Sequence, residues 1–449
     1  MSKLAPRHII TPLLLIGGGI LAVWLYQWEL AQVEQHIRNV AEASRLAHQL
    51  RPVLLALLAL VPGLAALYYL YAGILDRYIF RRFLSTFGIG IFAFLLIWVL
   101  LEIDNTRGPI KNADLSFTQR AGYYLVQFPY ALSLLMPFVL LLSTLFTLGQ
   151  LSASRELIGM TQTGRGFLRI IRTIIVISLF ASLVMGIFNY HWNAAGLAHK
   201  EGMEDAAQYE TFTRARSLIY HDSSSERLWY IGLFPTEAFQ GAPLRNVEIT
   251  TPGLGDLPTQ RLRADSASWD QETGVWTLTG AHSIQLTGSV APSYTDSADP
   301  LIIADWSETP AQILAAGLPA DTLGIPELQD WLRTNPNSPW IARQPYIAQL
   351  HCHLSSPATC LLAIMLAAPM AITFSRRATT SGVLTALVLF LLLFFANEIF
   401  RTMGSNGHLP PLLSAWLGNT CFALLGAVLI YRRVGGQPIV QSVKAWMTR

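Results

Sequence analysis

The sequence predicts a polytopic α-helical membrane protein with a β domain inserted between two groups of helices. Hydrophobic residues make up 52% of its 449 residues and charged residues only 13%, against about 25% in ordinary soluble domains. Apolar runs long enough to cross a bilayer lie on both sides of one long polar stretch, residues 195–346, which contains no such run. The net charge of +3 gives no reason to expect a nucleic-acid partner.

Eight apolar runs reach the length of about 17–25 residues that a membrane-spanning helix needs. They cover residues 9–28, 52–75, 83–103, 128–151, 168–190, 357–374, 382–400 and 411–431. We therefore expect five helices, a soluble domain and three further helices. The first run ends in Trp24, Tyr26 and Trp28 and not in a small-residue cleavage site, so we interpret it as a retained anchor rather than a signal peptide.

Lysine and arginine are unequally distributed between the two sides of the predicted membrane. If the N-terminus is cytoplasmic, fifteen of them lie in the short inside segments and seven in the short outside segments. Basic residues in short loops favour the cytoplasmic side. We therefore expect both termini inside and the polar stretch 195–346 outside.

Residues 1–75 are expected to form a transmembrane helical hairpin. Between its two runs, apolar and small residues recur at alternating steps of three and four, as in a helical heptad. These residues are Leu30, Val33, Ile37, Val40, Ser44 and Ala47. The pattern fits a helix lying on the membrane surface, and it fits equally a helical hairpin that projects outward and packs on a partner. We interpret Gly17-Gly18-Gly19 as a site of close helix packing and not of phosphate binding.

The polar stretch contains short segments rich in aromatic and β-branched residues, separated by turn formers. The predicted strands are residues 228–231, 246–249, 266–269, 275–278 and 282–286. Strands of this length and spacing predict a sandwich or a jelly roll. Residues 326–333 are predicted to form a helix that leads back towards the membrane.

Motifs for catalysis are absent from the sequence. There is no G-x-x-x-x-G-K-[ST] loop, no H-E-x-x-H and no G-x-S-x-G, so we expect no catalytic residue, no cofactor and no ATP hydrolysis by this chain itself. In His351-Cys352-His353 the two histidines are two positions apart and do not share a helix face, so no metal site is expected. On one helix Cys352 and Cys360 would be roughly 12 Å apart, too far for a disulfide.

Residues 148–164 connect the fourth and fifth runs on the predicted cytoplasmic side. The segment carries helix-compatible residues, an acid at Glu156, and a glycine at Gly164 that can end a helix. One interpretation is a short amphipathic helix across the ends of the bundle. The other is an ordinary loop with a solvated charge, which the residues alone favour.

Four stretches of the sequence carry motifs in a fixed order. Residues 76–84 read D-R-Y-I-x-R-x-F-L, and residues 148–157 read L-G-x-L-x(4)-E-L, with Gly164 eight positions after the acid. Residues 357–370 end in Ala368-Pro369-Met370, and residues 407–419 read G-x-L-P-P-x(4)-W-x-x-N. In this order they resemble the start of the first core helix, the coupling helix, the fourth helix and the entrance to the sixth helix of the LptF/LptG (YjgP/YjgQ) family of lipopolysaccharide-export permeases. The resemblance covers about residues 75–434, in the family's order of three helices, β domain and three helices.

The sequence departs from the family pattern in three places. Ala367 and Ala371 stand where the family has glycines around the fourth-helix proline. Gly418 stands where a proline usually precedes the final asparagine. The first two spans, to about residue 74, have no counterpart in the family core.

The resemblance implies a permease subunit of an ABC-type lipopolysaccharide exporter in a bacterial inner membrane. Its implied partners are a second permease or a copy of itself, a cytoplasmic ABC ATPase dimer, periplasmic bridge proteins and lipopolysaccharide. The implied division is an extra hairpin (1–75), core helices 1–3 (76–194) with a coupling helix at about 148–166, a periplasmic β domain (195–346), core helices 4–6 (347–434) and a cytoplasmic tail (435–449).

The same resemblance implies roles for particular segments. Glu156 and Arg155 are the candidate contacts with the ATPase, Glu156 through a charge-assisted hydrogen bond to a basic residue. The helices that begin near Phe83 and Gly382 are expected to form lateral gates against the partner permease. The β domain is expected to offer an apolar groove for acyl chains.

Three basic residues on the predicted outer side are candidate contacts with the lipid head group. Arg107, Lys111 and Arg120 follow the outer end of the first core helix, where positive charge is not expected. Arginine suits bidentate contact with phosphate. Ordinary loop charge near Asp104 and Asp114 is the competing interpretation.

Other functional classes remain as alternatives. A secondary transporter is disfavoured by the single large β insertion and the few charges within the predicted spans. A membrane scaffold that anchors a β domain, and an exporter of another glycolipid, both stay open.

Overall fold

A computed structural model describes residues 7–39, 45–106, 117–164, 166–209 and, with short gaps between 222 and 337, residues 213–371, followed by 379–433. The helices before the β domain are α1 (Arg7–Asn39), α2 (Arg45–Tyr71), α3 (Ile74–Asn105), α4 (Phe117–Ala153), α5 (Glu156–Gln162), α6 (Phe167–Tyr190) and α7 (Trp192–Tyr209). Those after it are α8 (Ile325–Thr334), α9 (Trp340–Ser355), α10 (Ala358–Ala371), α11 (Thr379–Ser405) and α12 (Pro411–Arg433).

Seven helices among the described residues are long and apolar enough to span a membrane: α1, α2, α3, α4, α6, α11 and α12. The pair α9 and α10 meets the same test only when taken together, and it bends by 51° at its break. The predicted sixth run, residues 357–374, therefore differs from the structure, in which helix already begins at Trp340. The break lies at Pro357. Proline interrupts a helix there because it has no N–H to donate and its ring displaces the preceding turn.

The bundle has two distinct ends. We call the end that carries α5 the α5 end, and the end from which α7 leads into the strands the β end. Buried side chains of α4, α6 and α10 make up much of the helical core, including Leu140, Leu148, Ile171 and Ala363. Ala367 and Ala371 are also buried there.

The two N-terminal helices form a hairpin that extends beyond its apolar runs. α1 continues to Asn39 and α2 begins at Arg45, so the described residues between the two apolar runs extend the two spanning helices and do not form a separate surface helix. Close packing in the hairpin confirms the prediction for Gly18: a Cβ there would lie 2.9 Å from the carbonyl oxygen of Ala59. Gly17 and Gly19 have nothing within 4 Å of such an atom.

The strands of the β domain are β1 (Thr213–His221), β2 (Leu228–Pro235), β3 (Leu244–Pro252), β4 (Pro258–Asp270), β5 (Val275–Thr279), β6 (His282–Gln285), β7 (Ser293–Asp296) and β8 (Leu301–Ile303). They form one antiparallel sheet in the order β1-β2-β3-β4-β5-β8, and β6 pairs with β4 and β7. The five predicted strands are confirmed as β2 to β6. Among the described strands the pairing forms one continuous sheet and not the two separate sheets of a sandwich.

The β domain has its own tryptophan-rich core. Trp229 and Trp276 are fully buried, with ring centroids 5.2 Å apart. Arg227 pairs with the buried carboxylate of Glu308, with Nε 2.8 Å and Nη2 3.0 Å from its two oxygens. After the sheet, α8 confirms the predicted helix at residues 326–333. The chain then returns to the bundle through α9.

Candidate functional site

A seven-residue helix, α5, lies at the end of the bundle opposite the β domain. It is separated from α4 by a tight turn in which Arg155 has the left-handed φ of 60°. Gly164, with φ 77°, follows its C-terminus, as the sequence predicts. Of the segment at about 148–166 in which we expect a coupling helix, residues 148–153 are the last turns of α4 and residues 156–162 form α5. Leu157 is buried and fixes α5 to the bundle, while Arg155 is exposed.

The carboxylate of Glu156 accepts hydrogen bonds from three side chains, two on α3 and one in the turn before α5. The Tyr78 hydroxyl donates to Oε2 at 2.7 Å, Arg82 Nη1 donates to Oε1 at 3.2 Å, and the Ser154 hydroxyl donates to Oε1 at 2.8 Å. The hydrogen bond from Tyr78 lowers the pKa of Glu156 most, although partial burial opposes it. The ionised carboxylate of Glu156, the first residue of α5, therefore connects α5 to the first turns of α3.

Arg82 extends this link to α4. Its Nη2 donates to the side-chain oxygen of Gln150 at 3.2 Å, and its Nη1 donates to the Tyr78 hydroxyl at 2.6 Å. Tyr78 and Arg82 are four positions apart and share one face of α3. The sequence does not reveal these partners of Glu156, and their i, i+4 spacing is the only local signal for them.

A second polar cluster ties the start of α3 to α6. Asp76 is completely buried and lies 3.3 Å from Arg169 Nη2. It also accepts hydrogen bonds from Arg172 and, at 3.0 Å, from the Thr173 hydroxyl. A buried carboxylate needs such cationic partners to remain charged. The first turn of α3 is therefore fixed at the α5 end.

The middle of α3, by contrast, is left largely uncovered by the described residues. No residue of its most apolar 18-residue segment is buried, whereas 67% of the corresponding segment of α4 is buried. A cleft of about 660 Å³ lies between α3 and α4 and is also lined by Val383 of α11. At Gly90 the two helices approach closely, since a Cβ there would lie 3.0 Å from a methyl group of Val139.

At the β end, α3 is held again by a buried acid. Glu102 lies 3.0 Å from Lys200 Nζ of α7 and accepts a hydrogen bond from the Tyr123 hydroxyl of α4 at 3.1 Å. Near this cluster, Arg120 is exposed on the first turn of α4. Arg107 and Lys111 lie outside the described residues.

A smaller cavity of about 190 Å³ lies between α4, α9 and α11 towards the β end. The side-chain amide of Asn397 donates to that of Asn419 at 2.9 Å, and Asn419 donates to the backbone oxygen of Ser355 at 3.0 Å. Glu398, which also lines this cavity, has its Oε1 2.6 Å from Arg401 Nη2. These polar groups join α9, α11 and α12 inside the bundle.

The His351-Cys352-His353 segment lies within α9. The imidazole Nε2 of His353 faces the backbone oxygen of Leu323 at 3.1 Å, and Cys352 and Cys360 are free thiols. In the part of the chain that the structure describes, no three His, Cys, Asp or Glu side chains converge as a metal site would require.

Comparison with known proteins identifies the family. The family described as lipopolysaccharide export system permease LptF/LptG matches residues 77–432, which span α3 to α12 and the whole β domain. No curated protein matches the chain. The α1–α2 hairpin lies entirely outside the match. The chain belongs to the LptF/LptG family of lipopolysaccharide export permeases, and it is a multi-pass membrane protein and a transporter component.

Proposed function

We propose that this chain is one half of the membrane channel of an ABC-type lipopolysaccharide exporter. It pairs with a second permease of its family, or with a copy of itself, and a separate cytoplasmic ATPase dimer drives it. It takes lipopolysaccharide from the outer leaflet of the inner membrane and passes it through the β domain to periplasmic bridge proteins. Both termini lie in the cytoplasm, and so does α5.

The observation that carries this proposal is the open apolar face of α3. Ile89, Phe92 and Leu100 are each more than half exposed at the centre of this helix. The adjoining cleft reaches Val383 of α11, so the two proposed gate helices border one apolar opening. A partner permease and the acyl chains of the lipid would cover this face.

In this proposal the ATPase contacts the chain at α5. A carboxylate offers about four acceptor sites, and Glu156 uses three of them within the chain. Its side chain is 35% exposed, so a basic residue of the ATPase can reach the remaining site. A push on α5 would then reach α3 directly, because Tyr78 and Arg82 belong to the proposed gate helix.

The proposed contact with the lipid head group lies at the β end. Arg120, exposed on α4, would bind phosphate together with Arg107 and Lys111. The alanine triple variant should lose photocrosslinking to lipopolysaccharide, whereas Arg401→Ala, which removes a cation already paired with Glu398, should retain it. Unchanged crosslinking in the triple variant would exclude these three residues.

The experiment that tests the whole proposal is purification of the tagged chain from its native membrane in mild detergent. Stoichiometric recovery of a cytoplasmic ATP-binding subunit and a second permease-type partner, or a dimer of this chain, is expected. Recovery of the chain alone, from a preparation in which other membrane complexes survive, would favour a scaffold.

The coupling role has its own test. Glu156→Arg should abolish lipid-dependent stimulation of ATP hydrolysis, because it replaces the acceptor with a second cation beside Arg82. Gln162→Ala, an exposed change on the same helix, serves as the control. Normal assembly and normal stimulation in Glu156→Arg would remove Glu156 from the mechanism.

A further inference from the structure

The α1–α2 hairpin is attached to the rest of the chain by a cluster of charged side chains at the β end. Arg51 of α2 donates through Nε to Glu29 Oε1 of α1 at 2.9 Å. On its other side, Arg51 Nη1 lies 3.6 Å from Glu327 Oε1 of α8. One guanidinium therefore joins both helices of the hairpin to the helix that follows the β domain.

A second contact joins α2 to the same helix. His48 Nε2 lies 2.6 Å from Asp330 Oδ2 of α8. His48 and Arg51 are three positions apart on α2, and Glu327 and Asp330 are three positions apart on α8, so each pair lies on one helix face. Two matched contacts fix both the position and the direction of α8 against the hairpin.

The cluster also reaches the segment that leads into the β domain. His191, between α6 and α7, places Nδ1 2.7 Å from Glu327 Oε1. The preceding residue, Tyr190, donates its hydroxyl to the backbone oxygen of Ala47 in α2 at 2.8 Å. A Cβ on Gly324 would lie 2.8 Å from the backbone oxygen of Tyr190, so the start of α8 sits directly on this junction.

These groups are too buried to be ordinary surface ion pairs. The side chain of His48 has no exposure, and those of Glu29 and Arg51 are 3% and 8% exposed. Burial alone would raise the pKa of Glu327, but the charges of His191, Arg51 and His48 hold that pKa well below its usual range. Removing one partner of a buried pair leaves an uncompensated charge, so the cluster is a strong local constraint.

We propose that the α1–α2 hairpin is a built-in clamp that fixes the β domain on the membrane bundle by holding both of its connections, α8 through Arg51 and His48 and the α6–α7 junction through Ala47. The hairpin lies outside the residues that the family model matches. The charged contacts of the clamp are to α8 and to the α6–α7 junction, and the residues that make them do not line the cleft between α3 and α4.

Amide hydrogen exchange of the full chain in lipid nanodiscs tests the clamp. In Arg51→Ala, peptides from α8 should exchange at least about tenfold faster than in the wild type, which corresponds to about 1.4 kcal/mol. Arg45→Ala is the matched control, because Arg45 is exposed on the same helix six positions earlier, and it should leave α8 unchanged. Equal α8 exchange in the two variants would overturn the proposal.

Hydrogen exchange in strands β2 and β5 reports whether a variant has unfolded as a whole. Trp229 of β2 and Trp276 of β5 are buried in the core of the β domain, to which the hairpin contributes no residue. If Arg51→Ala also accelerates hydrogen exchange in these strands, a reciprocal substitution of His48 and Asp330 distinguishes a loosened α8 from general unfolding. His48→Asp and Asp330→His should each loosen α8, and the double variant, which restores the pair in reverse, should recover most of the protection. No recovery would overturn the clamp. Neither test involves lipopolysaccharide, so failure here would leave the proposed transport function unaffected.

Discussion

The Tyr78 hydroxyl donates a hydrogen bond to Oε2 of Glu156, 2.7 Å away, and thereby joins the first turns of α3 to α5. These residues come from two of the motifs that resemble the family, and the structure brings the motifs into direct contact. At its two ends α3 is held by Asp76 and Glu102, while its centre is open. The ends of α3 are therefore fixed within the chain, and its centre is the part that the proposed partner permease would cover.

Tyr78→Phe should weaken the link between ATP hydrolysis and lipid movement. The change removes the hydroxyl and leaves the ring. A hydrogen bond to a charged group contributes about 1.5–3 kcal/mol, and less where it is partly exposed. We expect about a fivefold fall in lipid extracted per ATP hydrolysed in the reconstituted complex, with assembly intact. Tyr71→Phe, at an exposed tyrosine of α2, should have no effect. An unchanged ratio in Tyr78→Phe would show that α5 does not act through this hydroxyl.

Asp76→Ala should strongly destabilise the protein. Asp76 is completely buried, and its removal leaves Arg169 and Arg172 without the carboxylate that they share. Breaking a buried pair costs about 3–5 kcal/mol. Thermal unfolding in detergent should show a large fall in melting temperature, whereas Asp305→Asn, at an exposed position of the β domain, should not. Equal melting temperatures would argue against a structural role for this cluster.

Replacing two neighbouring glycines of α1 by alanine should affect the packing of α1 on α2 differently. Gly19→Ala adds a methyl group in open space, and helix propensity alone favours it by about 1 kcal/mol. Gly18→Ala places the methyl group 2.9 Å from a backbone oxygen of α2 and must push the two helices apart. We expect crosslinking between cysteines placed on α1 and α2 to decline in Gly18→Ala and to stay normal in Gly19→Ala. Equal behaviour would contradict the close packing.

The contribution of Glu327 to stability should depend on pH in a defined direction. Its pKa in the folded protein lies below the ordinary value of 4.5, because His191 and Arg51 stabilise the anion despite its burial. Its contribution is therefore complete above about pH 4.5 and is lost as the pH falls towards the lowered pKa. The difference in melting temperature between wild type and Glu327→Gln should be steady from about pH 6 to pH 5 and shrink below about pH 4.5. Glu34→Gln, at an exposed acid of α1, should show no such change, and a difference that grew on acidification would contradict the assignment.

Much of the fold could be predicted from local patterns. Apolar runs located the helices, because a helix that crosses a bilayer needs about 20 consecutive, predominantly apolar residues. Alternating aromatic and β-branched residues located β2 to β6 for a similar reason. The pattern failed for β1, whose Arg214 and Arg216 interrupt the apolar signal. It also failed at Pro357, where the proline breaks a helix that starts much earlier.

The candidate site could be predicted only in part. The motif around Glu156 marked the segment, and the family match covers it. The partners Tyr78 and Arg82 could not be assigned, because they lie more than 70 positions earlier in the chain and meet Glu156 only when α3 packs beside α5.

The sequence by itself determined that this is a multi-pass membrane protein with an inserted β domain and a motif set typical of one permease family, because hydrophobicity and motif spacing are local properties of the chain. Only the tertiary structure decided which charges meet. Arg51 and Glu327 are separated in the chain by helices α3 to α7 and by all eight strands, yet they lie 3.6 Å apart. Such a pair depends on the angles at which helices pack, and those angles are set by all the contacts of the bundle together.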